Sequence, residues 1–150
     1  MAPVDATRVT ERETILAGLA GFPARLRSAA VAAEVRPVPA GEWGPHEVVR
    51  HLIACEIDVH QARLADLATV AAPTWGRAEP APWPGEPEFS LTALLDRFAE
   101  LRAETLATVV ALDDAGWART GTHETLGVVG AQAVLGNAVS HDEEHLRGLG

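Results

Sequence analysis

The residues best placed to do chemistry are histidines. One segment reads His141-Asp142-Glu143-Glu144-His145. Residues four apart on a helix lie on one face, one turn above the other, so two imidazoles there can grip one metal ion. The spacing alone is a weak motif, because a histidine near a helix C-terminus is favoured by the dipole and can simply be solvated. Register strengthens it. Val134, Ala138, His141 and His145 stand at i, i+4, i+7 and i+11, so both histidines continue a core-facing stripe. Buried imidazole nitrogens need partners, and a shared metal satisfies two at once.

A third candidate comes from elsewhere in the chain. His51 closes the segment Trp43-Gly44-Pro45-His46-Glu47-Val48-Val49-Arg50-His51 and precedes Leu52. It lies on the same side of its helix as Val48 and Cys55. Viewed alone, it is equally well a core histidine bonded to a backbone carbonyl. Cys55, one turn on, can face the same point, although small buried cysteines usually act as plain hydrophobes. Asp58 reads as a carboxylate that orients a ligand or is solvated, and His46 and His60 read as exposed.

The elements that must carry these groups are helical. Ile15, Leu16, Leu19, Phe22, Leu26, Ala29, Ala30 and Ala33 form one buried stripe. Pro23 should kink or break that helix, because it removes a donor and crowds the carbonyl of Leu19. Val35 to Gly41 ends it. A second helix opens at Gly44-Pro45 and runs to about Ala72. A third starts after Ser90, a good N-cap. The last covers about Gly127 to Arg147. No strand pattern is visible. Four such helices bury their stripes most simply as one bundle, so residues 1–150 read as a single all-α domain.

Composition sets the class. Apolar residues are 47% of the chain and charged residues 22%, enough to fold one core without staples. The net charge is −9. With no basic face to displace counterions, nucleic-acid binding is disfavoured, and so is an anionic membrane surface. No run approaches the ~20 apolar residues of a membrane span. Cys55 is the only cysteine, which fits a reducing compartment. The charged stretch from Met1 to Glu13 does not resemble a signal peptide. The expected setting is the cytoplasm, with assembly open between monomer and homodimer.

Taken together, these segments resemble the DinB-like superfamily, including its YfiT-like metal-dependent hydrolases. The resemblance rests on a W-x-x-x-x-[IV]-x-x-H-[LIV] segment at Trp43 to Leu52 and an H-x-x-x-H-[LIV] segment at His141 to Leu146. It extends to Arg63, to a linker containing Trp75 and Trp83, and to Gly-Thr-His-Glu-Thr-Leu at Gly121 to Leu126. It covers about Thr14 to Gly148. Gly44 departs from it, since relatives often have Ser at that cap. The resemblance implies a four-helix bundle with a long crossover, and metal ligands at His51, His141 and His145.

Geometry makes an independent demand. His51 lies about 10 Å from the start of its helix, and His145 within a turn of the end of its own. For these ends to meet, the second and fourth helices must be antiparallel. A simple up-down-up-down bundle makes them parallel. The Pro-rich segment of residues 73 to 89 can return along the bundle, reaching on the order of 50 Å when extended. The expected order is therefore up-down-down-up. Trp83 and Phe89 should then arrive near the histidines and shape an apolar pocket.

Three ligands leave coordination positions open, the mark of a catalytic metal. Imidazoles suit zinc, nickel or iron. The expected function is a metal-dependent enzyme acting on a small molecule. The resemblance admits both hydrolases and thiol-dependent transferases or isomerases, so a low-molecular-weight thiol is a candidate cosubstrate. Arg63, Trp83 and His123 are candidate pocket residues; for Arg63 the plain alternative is a salt bridge to Glu56 or Asp66. No general base is evident beside the histidines, which keeps a metal- or ligand-binding bundle without turnover as the alternative.

Overall fold

The computed structural model describes residues 6–150, with side chains from residue 11 onward. Residues 1–5, part of the stretch read above for a targeting signal, lie outside the described residues. The chain forms helix α1 (Ala6–Glu34), then α2 (Pro45–Cys55), a π-helical turn (Glu56–Gln61) and α3 (Ala62–Thr69) in one continuous rod. Helix α4 (Leu91–Val110), short α5 (Asp114–Ala118) and α6 (Ala131–Leu149) follow.

Local chemistry explains the boundaries. Pro45 occupies the first turn of α2, and the Gly44 N–H donates to Glu47 Oε2 at 3.1 Å, half of a capping box. Ser90 Oγ accepts from the Ala93 N–H and starts α4. Asp113 does the same for α5 through the Gly116 N–H. Pro23 lies inside α1 without ending it, so of the expected kink or break the break does not occur. Its effect is offset by a donor from another helix, described below.

Two expectations about local structure are corrected. The second helix contains a π turn, and the segment before α6 is not helical. Strands β1 (Thr74–Trp75), β2 (Thr120–His123) and β3 (Gly127–Gly130) form a small sheet, with β1 parallel and β3 antiparallel to β2. Strands of two to four residues are too short to display alternation. Gly127, at φ +75°, takes the left-handed conformation after the hairpin turn.

Helix direction follows from who packs with whom. At one end Ala30 and Ala33 meet Val48, Val49, Leu94 and Leu149. At the other Leu19 meets Leu64, Leu67, Val109 and Val134. So α1 and α6 run one way, while α2–α3 and α4 run the other. The bundle is up-down-down-up, and the crossover is the segment between α3 and α4. That segment runs lengthwise. Near its start Trp75 Nε1 donates to Asp66; farther on, the Trp83 N–H donates to the Arg50 carbonyl. Arg50 in turn donates to the carbonyls of Trp83, Gly85 and Glu86. Phe22 and Phe98 meet edge to face at 5.7 Å in the core between them, a site where truncation to Ala costs roughly 3–5 kcal/mol. Among the described residues, no helix is long and apolar enough to cross a membrane.

Candidate metal centre and adjoining cavity

Antiparallel packing brings the end of α6 against the middle of α2, and three histidines meet there. One ligand atom from each of His51, His141 and His145 lies within 4.8 Å of the others. His141 Nε2 stands 3.4 Å from His51 Nε2 and 3.1 Å from His145 Nε2. Nitrogens sharing a tetrahedral ion at about 2.1 Å each would stand about 3.4 Å apart. The separations therefore fit one metal ion.

The crossover sets the tautomer. His51, 1% exposed, donates from Nδ1 to the Pro80 carbonyl at 2.7 Å. Its Nε2 lone pair then faces the other two rings, the arrangement that orients metal-binding histidines. His51 is thus bonded to a carbonyl as one reading of the sequence expected, and it faces a histidine pair. His141 Nδ1 is buried with no partner among the described residues. Burial, and then the charge of neighbouring histidines, holds His141 below the ordinary imidazole value and takes His145 down to about 4. Both rings are accordingly neutral at ordinary pH, the form a metal requires.

Behind the histidines lies a buried ionic cluster. Arg102 Nε and Nη2 donate to Glu56 at 2.9 and 3.0 Å, and Nη1 and Nη2 donate to Asp142 at 2.9 and 3.2 Å. Thr105 Oγ1 donates to Glu56 at 2.8 Å. Burial alone would raise the Glu56 pKa, but the bonds and charge of Arg102 hold it below the usual value. For Asp142 burial prevails over Arg102 and pushes the carboxyl up to about 6. Asp142 adjoins His141, so the cluster anchors the turn of α6 that carries two of the histidines.

A family model for the DinB superfamily matches residues 10–149. The chain belongs to the DinB superfamily. No curated protein matches it. Among solved structures it is similar to YfiT from Bacillus subtilis, with 19% identity and a TM-score of 0.70. The match covers 97% of this chain and 86% of that one. YfiT is described as a probable metal-dependent hydrolase with an unusual four-helix bundle topology. At this identity the likeness shows the fold.

Within this DinB-superfamily bundle, a cavity of about 410 Å³ opens beside the histidines. Cys55, Val59, His60 and Arg63 line one wall, and Asn137, Ser140, His141 and Glu144 line another. The linker supplies Arg77, Ala78 and Glu79, and the β2–β3 hairpin supplies His123. Arg63 and His123 therefore border the same cavity as the histidine cluster. Trp83 does not. It packs on the bundle core and lines a separate cavity with Phe89, because the linker reaches the histidine end at Pro80 and has crossed to the α4 side by Trp83.

Several other expectations are revised. Arg63 pairs with neither Glu56 nor Asp66: it donates from Nη2 to the Gly76 carbonyl and lies over Trp75. His60 is buried, not exposed, and burial drives its pKa down to about 4. Helical register explains this: Val49, Ile53, Glu56 and His60 stand at i, i+4, i+7 and i+11, and the first three are buried as well. Asp58 is exposed. Cys55 Sγ lies 3.5 Å from His51 Nε2 and 4.0 Å from His141 Nε2, and burial, then Glu79, pushes its thiol up to about 12.

Glu79 was missed from sequence. Its Oε2 lies 4.0 Å from His51 Nε2, so a carboxylate does stand beside the histidines. Nothing in a Pro-rich linker marks it in advance. The ionic cluster did carry a signal. Arg102 stands four residues after Phe98, and Asp142 four after Ala138, so both occupy core positions of their helices.

Proposed function

We propose that this chain is a metal-dependent enzyme acting on a small molecule, with His51, His141 and His145 holding one divalent ion. The observation that carries this is the convergence of three imidazole nitrogens, one with its tautomer set by the Pro80 carbonyl. Zinc, nickel or iron fits such a donor set. A divalent ion supplies Lewis acidity, which eases loss of a proton from water or from a thiol.

The chain's own groups divide the remaining work. Glu79, at the mouth of the cavity, is the carboxylate able to take that proton at Oε2. The cavity admits a small molecule alongside the histidines, with Arg63 and His123 on its walls. Hydrolysis and thiol-dependent transfer both meet these requirements, the latter with a low-molecular-weight thiol as cosubstrate.

The test uses the metal-loaded protein against two panels, one of activated esters and amides in water, the other of electrophiles with small thiols. Turnover that requires metal and is lost in His141→Ala supports the reading and selects between the chemistries. Stoichiometric metal with no turnover in either panel would favour the second reading, a binding bundle without catalysis.

A further inference from the structure

We infer that the cavity beside the histidines takes a carboxylate-bearing small molecule, and that Arg63 binds the carboxylate. The inference rests on the metal reading above and names the substrate class of the same site.

The starting point is a cation without an acid. Arg102 meets two carboxylates, and Arg25, Arg27 and Arg97 pair with Glu143, Asp96 and Glu100. Half-buried Arg50, also without an acid, is satisfied by three backbone carbonyls, while Arg77, the other arginine lining the cavity, is exposed. Arg63 is half-buried and lines the cavity, yet no carboxylate lies within salt-bridge reach of it among the described residues. The acids of neighbouring elements are engaged elsewhere. Asp66 accepts from Trp75 Nε1, Glu124 from the Arg77 N–H, and Glu56 from Arg102. Burial holds the Arg63 pKa below its ordinary value, with no charged neighbour to offset it. A guanidinium has five N–H donors, and Arg63 commits Nη2 to a single carbonyl. A partly desolvated charge is costly unless paired, in a protein whose net charge of −9 offers acids in excess.

A second donor points the same way. His123 Nδ1 accepts from the N–H groups of Thr125 and Leu126 at 3.1 and 3.2 Å. The proton of the neutral ring therefore sits on Nε2, which makes His123 a donor on the cavity wall. Polarity is graded along the cavity. Glu79 stands at the histidine end, whereas Arg63 lies two turns beyond Cys55 along the same rod, roughly 10 Å away. A molecule of that length can place its reacting group by the histidines and its carboxylate on Arg63.

The experiment uses zinc-loaded protein and alkyl hydroxamates, whose head group chelates zinc. Two series of matched length are compared by calorimetry, one ending in a methyl group and the other in a carboxylate. At the length that spans the cavity, the carboxylate series should bind roughly tenfold tighter. That advantage should vanish in Arg63→Gln and survive in part in Arg63→Lys, while the methyl series binds all three proteins alike. Equal affinity of both series for the unaltered protein at every length overturns the inference. So does a carboxylate preference in Arg63→Gln as large as before substitution. A separate zinc titration with no binding would overturn the metal reading itself, and the inference with it.

Discussion

Arg102 Nη1 donates to the carbonyl of Leu19 at 3.1 Å, the same carbonyl that Pro23 cannot serve. Proline has no N–H, so its presence in a helix orphans the acceptor four residues earlier. Here a guanidinium from α4 replaces the missing donor, and α1 continues through Pro23. The same Arg102 grips Glu56 in the π turn and Asp142 in α6. Its ring neighbours are Phe22 and Phe98, with the guanidinium carbon 5.6 and 5.0 Å from their centroids. One side chain thus ties three other helical segments together.

Removing it should be severe. Arg102→Met leaves two carboxylates buried without a counter-charge, and breaking a buried pair this way costs roughly 3–5 kcal/mol. Adding Glu56→Gln and Asp142→Asn should recover part of the loss. Urea unfolding of the single and triple variants checks both statements. A single-variant loss under about 1 kcal/mol would mean the cluster contributes little.

Metal should stabilise the fold. Binding to the native state alone adds RT ln(1 + [L]/Kd), about 2.7 kcal/mol at a hundredfold excess over Kd. Thermal melts with and without zinc should separate for the unaltered protein and coincide for His141→Ala. His51→Ala should weaken binding comparably despite its distance in sequence. Equal metal-induced shifts in all three proteins would remove these residues from the site.

Acid should destabilise the chain through His60. Burial lowers its folded pKa to about 4, against 6.5 for the ordinary imidazole. Between these values the unfolded chain binds the proton and the folded chain does not. Stability from the neutral ring is therefore complete above about pH 6.5 and declines as pH falls toward about 4. In chelator, the stability difference between the unaltered protein and His60→Leu should shrink across that window. A difference that stays constant with pH would show that His60 titrates normally.

Glu79→Gln separates a proton acceptor from a ligand. If the carboxylate takes a proton during turnover, zinc affinity should stay within about threefold while kcat falls on the order of a hundredfold. Chelator competition and turnover by the same preparation give both readouts. A variant with unchanged kcat would exclude the role.

The sequence by itself determined the four long helices, though not where the last begins, the bundle and the pairing of His141 with His145 on one helix face. Those features follow from local periodicity and from spacing within a helix, which the chain carries wherever it folds. The direction of the crossover was legible too, because His51 and His145 can meet only if α2 and α6 are antiparallel. Tertiary structure decided what depends on groups distant in sequence. The path of the linker put Glu79 and Pro80 beside His51 and turned Trp83 from the histidines onto α4. Pro23 reads as a helix breaker until Arg102 supplies the absent donor. In each case a partner from another element outweighed a local preference, and proximity between elements is not encoded in any single stretch of residues.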